Sequence, residues 1–142
     1  MVYSDTHKFV AMINKELEVG KALNAIAHSL AGLVSMADEE IKEKMSFIDF
    51  QDKDDFVHKN ISGLSLIVLR GKNNEIKKLR QKFIENNILF TDFTETMTED
   101  TYKEQLVKTK ETSEEGMKYF CLAGFGEKEI IDPLTKKFSL WH

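Results

Sequence analysis

The chain is poor in the residues that staple or interrupt small proteins: of 142 residues, one is cysteine, one proline and one tryptophan. A single thiol, Cys121, excludes an intrachain disulfide and fits a reducing compartment, so a cytoplasmic location is expected. Its place between Phe120 and Leu122 makes it a small buried hydrophobe rather than a nucleophile. No apolar run approaches the roughly 20 residues that span a bilayer, and Met1-Val2-Tyr3-Ser4-Asp5 has no charged-then-apolar leader. A soluble chain with no membrane partner is therefore expected. A basic excess is also missing: 24 acidic residues against 20 basic give a net charge of -4, which supplies no general field for nucleic acid. Repeats, low-complexity linkers, a P-loop and a dinucleotide-binding fingerprint do not occur. His7, His28, His58 and His142 are scattered, without a second ligand at helical spacing, so neither a metal site nor a cofactor is expected.

What is present suffices for a core, since 42% of the residues are hydrophobic, and one domain over residues 1–142 is expected. Phe9 to Ile13 reads as a strand that leads, through Lys15 to Gly20, into a helix. Ser46 to Phe50 is a short extended piece. Leu64 to Leu69, a leucine and β-branched run between Gly63 and Gly71, has the pattern of a central strand buried on both faces. Asn73 or Asn74 caps the next helix, in which Ile76, Leu79 and Phe83 recur on one face before Asn86-Asn87 ends it. Ile88 to Phe93 returns as a strand, and strand, helix and strand in that order predict a crossover unit in a partly parallel sheet. The polar stretch from Thr94 to Gly116 predicts a short helix with Thr98 as N-cap, Glu99 and Asp100 in its first turn, and Tyr102 and Leu106 as an apolar pair. Met117 to Ala123 is a further strand. Gly124 and Gly126 then read as a closely packed turn, and Glu127 to Lys137 as a helix interrupted by Pro133. The basic stripe Lys77, Lys78, Arg80 and Lys82 has the spacing of a solvated helix face.

The first helix carries the chemistry. At about 100° per residue, Lys21, Asn24, Ala25, His28, Ala31, Gly32 and Ser35 share one arc, and Leu23, Ile26, Ala27, Leu30, Leu33 and Val34 the opposite one. The apolar arc is expected to pack on the sheet. The other lacks the Glu and Lys of a solvated face, which predicts that a ligand, another segment or a partner subunit covers it. A helix start offers unpaired backbone N–H groups and the positive end of the helix dipole. With Gly20 admitting a close approach, a small ligand with an anionic or carbonyl group is expected there. His28 is the candidate general base, Asn24 would hold a carbonyl or a water, and Asp92 at a strand end would orient His28 or Lys21. The alternative roles are structural: a histidine satisfied by packing, and an aspartate that caps or turns the chain.

The stretch Leu122-Ala123-Gly124-Phe125-Gly126-Glu127-Lys128-Glu129-Ile130-Ile131-Asp132-Pro133-Leu134-Thr135-Lys136-Lys137-Phe138-Ser139-Leu140 resembles the ending of the peptidyl-tRNA hydrolase II family. Asp92 and Thr96 look like the Asp and Thr of that family's Asp-Ala-Gly-Arg-Thr motif, and Gly20-Lys21 like its Gly-Lys at the start of the first helix. The resemblance implies an α/β fold, a three-layer α/β/α sandwich around a mixed four-stranded sheet. The candidate set is then Lys21, His28 and Asp92 for catalysis, with Gly20, Asn24 and Thr96 for ligand binding. Departures accompany it: the hydrolases' second lysine falls on Leu23, their glutamine on Ala27 and their histidine on Leu30, and Phe93-Thr94-Glu95 replaces Ala-Gly-Arg. A closer resemblance is to an uncharacterised bacterial family of unknown function with this fold, whose first helix similarly carries Gly, then Asn-Ala, then Ala-His. The expected function is binding of a small polar ligand at the start of the first helix, with its hydrolysis as the extension of that reading. Peptidyl-tRNA hydrolysis is one alternative. A homodimer with Ala25, Ala31 and Gly32 at the subunit contact is the other.

Overall fold

Alternation along the first strand sets the layering. In the computed structural model, which describes residues 5–98 and 100–142, Phe9, Ala11 and Ile13 enter one apolar core and Val10 and Met12 a second. Met1 to Ser4 and the expected first-turn acid Glu99 lie outside the described residues. The elements in order are β1 (His7–Asn14), α1 (Val19–Met36), α2 (Glu39–Lys44), β2 (Phe47–Gln51), β3 (Val57–Ser62), β4 (Leu66–Gly71), α3 (Asn73–Glu85), β5 (Leu89–Thr94), α4 (Tyr102–Lys110), β6 (Tyr119–Glu127) and α5 (Lys128–Thr135). A 3-10 turn, Glu95–Met97, follows β5.

Four strands form a mixed sheet in the order β4-β1-β6-β5. β1 and β4 are parallel, with Phe9 opposite Leu66 and Asn14 opposite Gly71, and β6 runs antiparallel to both β1 and β5. Residues of α1 close the Phe9-Ala11-Ile13 face, and residues of α3 and α5 close the other, so helices lie on both sides of the sheet. β2 and β3 pair separately as a hairpin. None of the described helices is long and apolar enough to cross a membrane.

The strand expected to be central stands at the edge. β4 is apolar because Val68 faces the α1 core and Ile67 and Leu69 the α3 core. Its outer edge is covered by residues 139–141: the Arg70 N–H donates to the Ser139 carbonyl (3.0 Å) and the Trp141 N–H to the Val68 carbonyl (2.9 Å). The crossover through α3 therefore spans the sheet from one edge to the other, and the adjacent parallel pair is β1 with β4. Gly124 and Gly126 continue β6 instead of turning. A Cβ on Gly124 would lie 2.6 Å from Phe83 Cε2, and one on Gly126 2.8 Å from Ile88 Cδ1, so both glycines make room for side chains pressed onto the sheet.

Caps also shift. Helix α3 begins at Asn73, with the Lys72 N–H donating to Glu75 Oε1 (2.9 Å), while Asn73 Oδ1 accepts the Tyr119 N–H (2.7 Å) and ties the helix to β6. Asn87 takes the left-handed conformation (φ 54°) that ends it. Thr101, not Thr98, caps α4. That helix exposes its apolar pair, Tyr102 at 68% and Leu106 at 65%, and is tied down instead by the Thr109 hydroxyl donating to that of Thr96 (2.7 Å).

Candidate functional site

Helix α1 is rolled relative to the expected arc. Its buried residues are Ala22, Ala25, Ser29 and Leu33, while Leu23 is 58% exposed. Small side chains win the inner face because they let the helix lie close on the sheet. The Thr91 hydroxyl reaches the Ser29 carbonyl at 2.6 Å, and a Cβ on Gly32 would already lie 3.5 Å from Thr91 Cγ2. Ile26, Leu30 and Val34 pack on the flank of the same core. Of the three residues expected at a subunit contact, Ala25 and Gly32 are thus engaged within the chain, and Ala31 is exposed.

The roll carries Lys21 and Asn24 to a pocket of about 180 Å³ lined by Gly20, Lys21, Asn24, Phe93, Thr98 and Phe120. His28, one turn beyond Asn24, lies flat on the Phe93 ring, with centroids 5.3 Å apart and planes 11° apart. The helix start beside them is uncapped. Its first i to i−4 bond is donated by the Ala22 N–H to the Glu18 carbonyl (2.9 Å), and the Glu18 side chain caps none of the preceding N–H groups. The side chains of Lys21 and Asn24 have no hydrogen-bond or ion-pair partner among the described residues. A Cβ on Gly20 would meet nothing within 4 Å, so the space beyond that backbone is open.

Asp92 is not there. Thr91 and Phe93 face α1, so the pleat turns Asp92 to the α3 side, where Arg80 Nε donates to its Oδ2 at 2.8 Å. The same guanidinium bonds Glu114 at 3.0 Å and lies between the rings of Phe90 and Tyr119, 5.5 and 5.7 Å from their centroids. Burial alone would lower the Arg80 pKa, but the bond to Asp92 and its charge, together with Tyr119 and Glu114, raise it above the ordinary value. Asp92 and His28 therefore occupy opposite faces of the sheet, and the expected pairing between them does not form. Thr96 is buried away from the pocket too, in a hydroxyl chain with Thr94 (2.7 Å) and Thr109 (2.7 Å); Thr98 lines the pocket in its place.

The structure thus brings together Gly20, Lys21 and Asn24, with His28 adjoining through Phe93, and sets Asp92 and Thr96 apart. Phe93, Phe120 and Thr98 are not singled out as site residues in the sequence, where Thr98 reads as a helix cap. The available signal was parity: if Thr91 and Phe93 face the first helix, Asp92 cannot. Cys121 is buried in the α1-side core, and burial pushes its thiol pKa up to about 12, which leaves it inert. Among the described residues no group of three His, Cys, Asp or Glu side chains is placed to hold a metal ion.

No curated protein matches the chain. Among solved structures, a protein of unknown function from Agrobacterium tumefaciens strain C58 superposes with a TM-score of 0.79 at 21% identity, over 96% of this chain and 98% of that one. At that identity the likeness shows a shared fold. The model of the family described as Protein of unknown function (DUF2000) matches residues 7–142, which hold every strand and helix described above, and the chain belongs to that family.

Proposed function

We propose that the chain binds a small polar ligand at the start of α1, through an anionic or carbonyl group on that ligand. The observation that carries this reading is unsatisfied bonding capacity in one place. Gly20 and Lys21 of the uncapped first turn and Asn24 one turn on line one pocket with the aromatic residues Phe93 and Phe120. The helix start contributes the equivalent of about half a positive charge, Lys21 a whole one, and Asn24 both a donor and an acceptor. The aromatic pair suits an apolar or planar part of the ligand. A volume of about 180 Å³ lies below the roughly 300–1,000 Å³ of drug-sized sites, which favours a small molecule.

Hydrolysis is the extension of this reading in which His28 takes a proton from water while Asn24 holds the carbonyl; Asp92 has no part in it, being engaged with Arg80. Peptidyl-tRNA is a poor candidate substrate, because the net charge is -4 and the place of the second hydrolase lysine is taken by Leu23. Screening a metabolite collection by thermal shift tests the binding reading. A ligand at 100 times its Kd stabilises by about 2.7 kcal/mol, and the shift should vanish in Lys21→Gln and Asn24→Ala. Compounds that stabilise the wild type and both variants equally would place the binding elsewhere and defeat the proposal. An ester turned over by the wild type should still bind His28→Gln without turnover if His28 is the base.

A further inference from the structure

The basic stripe of α3 divides into two halves with different fates. Lys77 and Arg80 are committed within the chain, Lys77 Nζ to the Glu115 carbonyl (2.6 Å) and Arg80 to Asp92 and Glu114. Lys78 and Lys82 instead border α5, where together with Lys137 they line a groove of about 370 Å³. Its apolar lining is Leu79, buried in the α3-side core, with Leu134 and Phe138 packed against that core. Lys137 Nζ lies 5.2 Å from the centre of the Phe138 ring, so a cation stands directly over the apolar surface.

The charges around this groove are unbalanced. Lys78 and Lys137 have no ion-pair partner among the described residues, and Lys82 shares only the exposed Glu85, at 3.5 Å. The single carboxylate in the lining, Glu75, already accepts the Lys72 N–H at the start of α3. Three lysines and one carboxylate therefore line this groove, on a protein whose net charge is -4. The volume falls within the range of ligand-sized clefts. An apolar lining under a cationic rim is complementary to a molecule with an apolar body and one anionic end. Lysines are mobile point charges rather than planar forks, so they select for negative charge and not for one headgroup geometry.

We propose that the groove between α3 and α5 binds a small amphipathic anion, an acyl or aryl body carrying one carboxylate or phosphate end. Octanoate and octanol, titrated separately into the ¹⁵N-labelled full chain and followed by amide shifts, test this. Octanoate should give saturable shifts at Lys78 to Lys82 and Leu134 to Phe138, and octanol should bind about tenfold more weakly, as expected for the loss of several exposed ion pairs. The double variant Lys78→Gln with Lys137→Gln should weaken octanoate about fivefold, leave octanol unchanged and keep the urea midpoint of the wild type. Equal affinity for octanoate and octanol would overturn the proposal, as would shifts confined to Gly20, Lys21 and Asn24, or no saturable shifts at all.

Discussion

Polar side chains gather on both sides of the sheet near the ends of β5 and β6 and are treated in opposite ways. On the α3 side they satisfy one another: Arg80 joins Asp92 and Glu114, Asn73 and Asn14 both bond the Tyr119 backbone, and Thr94, Thr96 and Thr109 link their hydroxyls. On the α1 side Lys21 and Asn24 stand beside a pocket with no partner among the described residues. Polar residues at strand ends are therefore not in themselves the mark of a site. Bonding capacity left unused is, and the contrast predicts that substitutions on the two faces differ in kind.

The largest effect should come from the closed face. Asp92→Ala leaves the Arg80 cation, 22% exposed at its side chain, without its nearest counter-charge, and should lower unfolding free energy in urea by about 2–4 kcal/mol. A loss below about 1 kcal/mol would show that the two faces do not differ as described. Gly124→Ala, which sets a methyl 2.6 Å from Phe83 Cε2, should cost about 1–3 kcal/mol through overpacking. On the open face Asn24→Ala should change stability by less than about 1 kcal/mol while removing most of the affinity for any ligand found by thermal shift. If it unfolds the chain instead, Asn24 belongs to a structural network. The smallest effect concerns Cys121. In folded protein the thiol should react with a thiol reagent at pH 8 no faster than the chain opens. Its pKa rises on folding from 9.0 to about 12, so the unfolded chain sheds that proton first, and the group's contribution to stability declines as pH climbs between those values.

Period was the part of the fold legible in the residues. The β1 strand, the inward face of α3 at Ile76, Leu79 and Phe83, and the strands β5 and β6 follow from apolar spacing alone. Position was not. An apolar run says that β4 is covered without saying by what, and the covering residues 139–141 come from the far end of the chain. A helical wheel separates two arcs of α1 but does not fix its roll on the sheet: Leu33 is buried and Ile26, Leu30 and Val34 pack on the core as the apolar arc required, while Ala22, Ala25 and Ser29 also turn inward and Leu23 turns outward. Helical spacing correctly grouped Lys21 with Asn24 and set His28 alongside, because that grouping is internal to one element. Adding Asp92 required relating a helix to a strand, and the one-residue parity of a pleat sends it to the opposite face. β3 escaped notice because Val57 and Ile61, its two apolar residues, are both exposed and leave no buried alternation to detect.

The seal on β4 has a consequence in time. Arg70 and Val68 find their partners at Ser139 and Trp141, so the strand is made about 70 residues before the segment that covers it, and its outer hydrogen-bonding groups stay bare over that interval. A bare strand edge is a template for another chain. The hazard of self-association therefore falls in the interval between the two events rather than in the finished molecule. Removing residues 139–142 would make that interval permanent, turning a transient exposure during folding into a standing route to strand-to-strand aggregation.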